Sequence, residues 1–170
     1  MPPHRVPLAA TLVVACLLVP AAAADACAGA RRPVGADPPR AARATHCLVD
    51  AARARSGLSR LRDAGALDRA AADHALDMVR RDFFDHVSPG GSTPAQRVRS
   101  AGFSGTAIGE TIAWSTGAVT PESIVRMWMR SPPHRQVLLA PMFSALGIGI
   151  ARGAPGHGGS GATFTADLGG

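Results

Sequence analysis

Lysine and tyrosine are both absent from this chain, and aromatic residues make up only 4% of it. All eighteen basic side chains are therefore arginine, and they are scattered without a long basic run. Nucleic-acid binding usually relies on a basic stripe and on aromatic platforms for base stacking, and both are scarce here. The net charge of +6 therefore does not indicate a specific nucleic-acid partner. It favours a loose attraction to anionic wall polymers or lipid head groups.

Long hydrophobic runs are also lacking, because the one apolar stretch, residues 8–19, is too short to span a membrane comfortably. Arg5 precedes it and a run of alanines follows, which is the pattern of a secretory leader. We predict a signal peptide over residues 1–24, with cleavage after Ala24 or after Ala26 as open alternatives. The mature chain would then have no transmembrane segment. It would be secreted or held in the cell envelope, and lipidation of Cys27 is a weaker alternative.

Cysteine is rare, and the absence of a Cys-x-x-Cys pair argues against a thiol–disulfide oxidoreductase. Cys16 lies in the predicted leader and would be lost with it. Cys27 and Cys47 remain as an even pair in an oxidising compartment, so we predict one disulfide between them. Closing that loop would stabilise the fold by roughly 3 kcal/mol in the loop-entropy model. Residues 25–44 have no periodicity at their start and are predicted to be a linker that this disulfide holds.

Glutamate occurs only twice, and one of the two has an ordinary explanation. Glu122 follows Thr120 and Pro121, where a carboxylate in the first turn stabilises a helix start. Glu110 lies instead in a run of small and apolar residues that is typical of a strand. A buried carboxylate needs a partner, because burying it alone is costly. His86 and His134, in two distant polar segments, are the proposed partners in one shared site.

The remaining periodicity indicates a domain rich in helices with a few short strands. Helices are predicted over residues 41–56 and from a cap at Asp63 to Arg81, and Gly147 and Gly149 mark a strand that packs closely against another backbone. His74, on the second helix, is interpreted as a solvated histidine. No repeat of parallel βαβ units is present, so the prediction is an α+β fold.

Several motifs, in this order, resemble the CAP superfamily of cysteine-rich secretory proteins in its bacterial form. They are Cys47-Leu48-Val49-Asp50, Phe84-Asp85-His86-Val87-Ser88-Pro89, Gly109-Glu110, Trp128-Met129-Arg130-Ser131-Pro132-Pro133-His134, Gly147-Ile148-Gly149-Ile150 and Phe164-Thr165-Ala166-Asp167. The resemblance implies a CAP domain over residues 45–170. It also implies an α-β-α sandwich with a small, mainly antiparallel central sheet.

The resemblance further implies a central cavity lined by His86, His134 and Glu110. The chain departs from the family pattern at Ser131, where many relatives carry a second cavity glutamate, and at Thr111, where they carry asparagine. Neutral imidazoles and a carboxylate can hold Zn²⁺ or another divalent cation, with one position left open for water. We expect weak, exchangeable metal binding, while a hydrogen-bonded cluster without metal explains the same residues.

Three residues are expected to flank this cavity: Asp85, Trp114 and Ser131. Ser131 precedes two prolines and is interpreted as a helix cap. No Gly-x-Ser-x-Gly motif supports a serine nucleophile.

Three functions remain open from the sequence. The first is an exported, non-enzymatic module that binds a divalent cation or a small polar ligand, with lipid or a cell-wall component as a further partner. The second is a metal-assisted hydrolase that uses Glu110 as general base. The third is a structural envelope protein.

Overall fold

The computed structural model describes residues 27–35, 37–157 and 159–170, and the predicted leader lies outside them. In these residues the chain forms five helices and four strands. The helices are α1 (Pro38–Arg55), α2 (Gly65–Arg80), α3 (Pro94–Ser100), α4 (Pro121–Arg130) and α5 (Pro132–Leu138). The strands are β1 (Arg62–Asp63), β2 (Ile108–Ser115), β3 (Ala145–Arg152) and β4 (Ala162–Gly169). None of these helices is long and apolar enough to cross a membrane.

The four strands form one sheet in the order β1-β3-β4-β2. β4 pairs antiparallel with both β2 and β3, whereas the short β1 pairs parallel with β3. The predicted α+β fold with a small, mainly antiparallel sheet is therefore confirmed. β2 lies at one edge of the sheet, and Glu110 on it is directly opposite Asp167 of β4.

Helices cover both faces of the sheet. On one face α2 lies directly on β3, so that an added Cβ at Gly147 would meet the backbone of Leu67 at 2.2 Å. On the other face α1 and α4 pack on the apolar side chains of β3 and β4, with Trp128, Phe164 and Leu146 at the centre. The predicted close approach at the β3 glycines is confirmed, and the layers form an α-β-α sandwich.

The first helix begins earlier than predicted, at Pro38, within the segment expected to be a linker. The Asp37 side chain accepts a hydrogen bond from the Arg40 amide at 2.9 Å, and the two prolines fill the first turn, where no N–H is needed. Upstream of it, Val34 is buried in the core, and its amide donates to the Val119 carbonyl at 2.9 Å. The predicted disulfide between Cys27 and Cys47 is present.

The second helix has a different start from the one predicted. It begins at Gly65, its N-cap is Ala64, and no side chain caps it. Asp63 is in β1 and contacts His46 instead, with 2.9 Å between the carboxylate oxygen and Nδ1. Asp63 therefore lies one residue before the N-cap position and does not cap the helix.

Candidate functional site

Glu110 is the centre of the polar site, as expected from the sequence. Its side chain is only 1% exposed, and each carboxylate oxygen has its own partner. Oε1 accepts a hydrogen bond from His86 Nδ1 at 2.7 Å, and Oε2 accepts one from Arg97 Nη2 at 2.6 Å. The charge of the buried carboxylate is therefore compensated by two donors, which is the condition for burying it.

His86 is the solvent-facing member of the site, with a side chain that is 48% exposed. The hydrogen bond to Glu110 raises the pKa of His86, because it stabilises the imidazolium, and this outweighs the opposite effect of burial. Since Nδ1 is used by Glu110, Nε2 is the ring atom left for a ligand. The buried carboxylate thus fixes the orientation of an exposed imidazole.

Arg97, on α3, is a member of the site that the sequence did not reveal. Its Nη1 donates to the Ser92 carbonyl at 2.8 Å, and its Nη2 donates to the His86 carbonyl at 2.9 Å as well as to Glu110. One guanidinium therefore holds both the backbone of His86 and the carboxylate that orients its ring. No pattern in the sequence distinguishes Arg97 from the other scattered arginines.

His74 was wrongly interpreted as a solvated histidine, because the structure buries it completely beneath the site. Its Nε2 donates to the carbonyl of Asp85 at 3.0 Å and lies 3.9 Å from Glu110 Oε1. Burial lowers the pKa of His74, which favours the neutral ring. His74 therefore fixes the segment that carries His86 from below. His74 shares its helix face with the buried residues Leu67 and Met78, and this spacing could have predicted its burial from the sequence.

Asp167 is a second buried carboxyl group that the sequence analysis did not assign to the site. It is 1% exposed and faces Glu110 across the β2–β4 pair. No described residue donates a hydrogen bond to either of its oxygens, so a carboxylate there would be unsatisfied. Burial and the neighbouring Glu110 raise the pKa of Asp167 to about 8. These surroundings favour the neutral acid form of Asp167 at neutral pH.

This pair predicts a specific pH dependence of stability. The pKa of Asp167 in the folded state, about 8, is above its ordinary value of 3.8, so its favourable contribution is complete below about pH 4 and is lost as the pH rises through 8. Asp167→Asn has nearly the same shape but cannot ionise. When the pH is raised from 5 to 8.5, we expect the urea midpoint of the wild type to decrease more than that of the variant.

The raised pKa of His86 also lowers stability as the pH rises, in both proteins. The contribution of Asp167 is therefore the difference between the wild type and Asp167→Asn. Asp73→Asn, on an exposed position of α2, is the matched control and should keep the wild-type response. Parallel pH curves for the wild type and Asp167→Asn would show that Asp167 is already ionised in the folded protein.

His134 is near His86 but does not complete a ring of ligands around Glu110. A hydrogen bond of 2.7 Å joins its Nδ1 to Ser131 Oγ, so Nε2 is again the atom left over. Burial lowers the pKa of His134, and the charge of His86 lowers it further. Both effects favour the neutral form of the His134 ring.

Ser131 was expected to cap α5 with its side chain, and this expectation is wrong. Ser131 is the N-cap residue, but its hydroxyl makes no capping bond, because the prolines that follow offer no N–H and His134 takes the hydroxyl instead. Ser131 therefore orients the His134 ring.

The other two expected flanking residues have separate roles. Asp85 is exposed, and its carboxylate accepts the Val87 amide at 2.8 Å within the loop, so it shapes the loop and does not contact the His86 ring. Trp114 packs edge-on against Phe84, with 6.4 Å between ring centroids, and also against His157 at 4.6 Å. Phe84 itself is 43% exposed. The three rings form an aromatic wall at the Trp114 end of β2.

A resident divalent cation does not fit these residues as they are arranged. A cation that took Glu110 as a ligand would have to displace His86 or the permanent positive charge of Arg97 from it. Within the described ranges, no group of three or more His, Cys, Asp or Glu side chains is placed to hold a metal ion. Glu110 is also poorly placed as a general base, because it is buried and both of its oxygens are engaged.

The model of the cysteine-rich secretory protein family, CAP, matches residues 47–166. The chain belongs to this family. It is 37% identical over 102 residues to the protein YkwD of Bacillus subtilis, an alignment that covers 60% of this chain and 39% of YkwD. This chain thus spans well under half the length of that relative.

Solved structures of two bacterial proteins share the fold. An extracellular protein containing an SCP domain from Bacillus anthracis matches with a TM-score of 0.65 at 23% identity, over 76% of this chain and 40% of that one. An outer surface protein from Borrelia burgdorferi matches with a TM-score of 0.64 at 19% identity, over 73% of this chain and 87% of that one. These likenesses, with the family match, support the sandwich and the CAP domain predicted from the motifs.

Proposed function

We propose that this CAP-domain chain is an exported, non-enzymatic binding module that holds a small polar ligand between His86 and His134. One observation carries the proposal. Nδ1 of His86 is hydrogen-bonded to Glu110 and Nδ1 of His134 to Ser131, so Nε2 of each ring is available to bind a ligand. Export is supported by the leader-like pattern at residues 1–24 and by the disulfide. The similar B. anthracis protein is itself extracellular.

The supporting residues favour binding over catalysis. His86 is fixed by Glu110, Arg97 and His74, so its ring is preorganised and little entropy is lost when a ligand binds. The surroundings favour the charged form of His86 and the neutral form of His134, because the pKa of His86 is raised and that of His134 is lowered. The site can therefore donate from a cationic ring and either donate or accept at a neutral one. A ligand oxygen such as a carboxylate or hydroxyl matches this pair.

The histidine ring signals in NMR spectra test this proposal directly. Acetate, phosphate, citrate and glucose would be titrated separately into the full chain, with the ring signals of His46 and His157 as internal controls. We expect one of these probes to shift the signals of His86 and His134 and not those of the controls. Loss of a charged hydrogen bond should make His86→Ala bind at least roughly 10-fold more weakly.

Two results would contradict the proposal. If no probe moved the His86 and His134 signals selectively, the polar cluster would serve only the fold, as in the structural envelope protein. If Zn²⁺ bound to the wild type with an affinity that Glu110→Gln abolished, the site would be a metal centre after all.

A further inference from the structure

A second surface, formed by α4 and α5, carries three exposed arginines. Arg126 and Arg130 on α4 and Arg135 on α5 are all exposed. In the part of the chain that the structure describes, none of these three side chains takes part in an ion pair or a hydrogen bond. The sequence also contains no Asp or Glu between residues 123 and 166. The guanidinium groups are thus free to meet an anionic partner.

The same surface has a groove with apolar walls. The groove has a volume of about 540 Å³ and lies where α4 meets α5, and it is lined by Met129, Arg130, Pro132, Arg135, Gln136, Leu139, Ala140 and Pro141. Met142, next to Pro141, is 65% exposed, and Met127, beside Arg130 on α4, is 44% exposed. They are the two most exposed of the large apolar side chains that the structure describes. We call this surface the basic groove.

The chemistry of the basic groove selects among anionic partners. Arginine binds phosphate oxygens in a bidentate manner, and flexible methionines adapt to an irregular apolar surface. A nucleic acid would use the cations but has no need of the exposed methionines, and no aromatic ring lines the groove for base stacking. An anionic lipid surface uses both features, because its phosphates lie directly above an apolar layer.

We propose that the basic groove docks this protein on membranes that contain anionic phospholipid. The lipid phosphates bind Arg130 and Arg135, and Met127 and Met142 enter the boundary between head groups and acyl chains. None of the residues that hold His86 lines the groove. The vesicle experiment requires no ligand at His86 and His134, so the docking proposal and the proposed function can fail separately.

Co-sedimentation of the full chain with vesicles tests this docking. The vesicles would contain phosphatidylcholine alone or phosphatidylcholine with 30 mol % phosphatidylglycerol, at about 0.1 M salt. We expect binding to the anionic vesicles only. Removing two interfacial charges in Arg130→Gln/Arg135→Gln should lower the partition coefficient roughly 25-fold. Arg60→Gln/Arg99→Gln removes the same charge at exposed positions elsewhere and is the matched control.

All of these proteins keep the same residues 1–26, so any membrane affinity of that segment cancels in the comparison. A Met142→Trp reporter should show a blue-shifted emission with anionic vesicles, relative to the wild-type background from Trp114 and Trp128. Three results would overturn the proposal: equal losses in both double variants, unchanged vesicle binding with a selective loss of DNA binding in Arg130→Gln/Arg135→Gln, or full displacement by millimolar inorganic phosphate.

Discussion

Replacing Gly149 by alanine is expected to prevent the chain from reaching a stable fold. A Cβ at this position would lie 2.1 Å from the carbonyl carbon of Ala71 and 2.2 Å from its oxygen. These are backbone atoms of α2, so no rotamer change can relieve the contact. The helix would have to move away from the sheet, at a cost of roughly 4 kcal/mol or more. Because α2 carries His74, the support beneath His86 would be lost with it.

Urea denaturation followed by circular dichroism measures this effect. Gly90→Ala is the matched control, because an added Cβ there meets no atom within 4 Å. It should be neutral or stabilise by about 0.5 kcal/mol through the unfolded chain. A Gly149→Ala protein with the wild-type midpoint would mean that α2 is not held against β3 as described.

Glu110 could be singled out from the sequence because a carboxylate conflicts with the apolar strand around it. Glu110 in an apolar strand demanded a partner, and His86 is that partner. Asp167 gives the same kind of signal, since it lies in an apolar strand between Ala166 and Leu168. The sequence analysis included Asp167 only in a family motif, so its buried position opposite Glu110 was missed.

The partners of Arg97 and Ser131 could not be predicted from the sequence. Arg97 is on a short helix with no sequence feature that points inward, and only the folded chain brings it to Glu110 and the His86 carbonyl. Ser131 has the pattern of a helix cap, but a hydrogen bond to His134 replaces the local one. In both cases the side chain's partner is set by the folded chain and cannot be read from the local sequence pattern.

The position of His134 depends on a residue far from it in sequence. Arg53 of α1 is 1% exposed, and its guanidinium donates to four backbone carbonyls. Nη1 donates to Leu138 at 2.9 Å and Ala140 at 3.0 Å, Nη2 to Phe143 at 3.2 Å, and Nε to Ser59 at 3.0 Å. Leu138 is the last residue of α5, the helix that begins beside Ser131 and carries His134. One buried arginine thus holds the end of that helix and the turn that follows it.

Arg53→Met keeps much of the side-chain volume but removes every donor, leaving four carbonyls without their partner. Since each buried group left unsatisfied costs about 1–3 kcal/mol, we expect a loss of roughly 3–5 kcal/mol after partial relaxation. Arg55→Met, an exposed position on the same helix, should change stability by less than about 0.5 kcal/mol. The measurement is the difference in urea midpoints among the three proteins.

A second readout separates positioning from general destabilisation. Under conditions where Arg53→Met remains folded, the NMR signals of the His134 ring should shift and broaden, because α5 has lost its anchor. Those of His86 should not, since Glu110 and Arg97 still hold it. Equal disturbance of both rings would mean that the two halves of the site are coupled through the sheet and that Arg53 has no particular hold on α5.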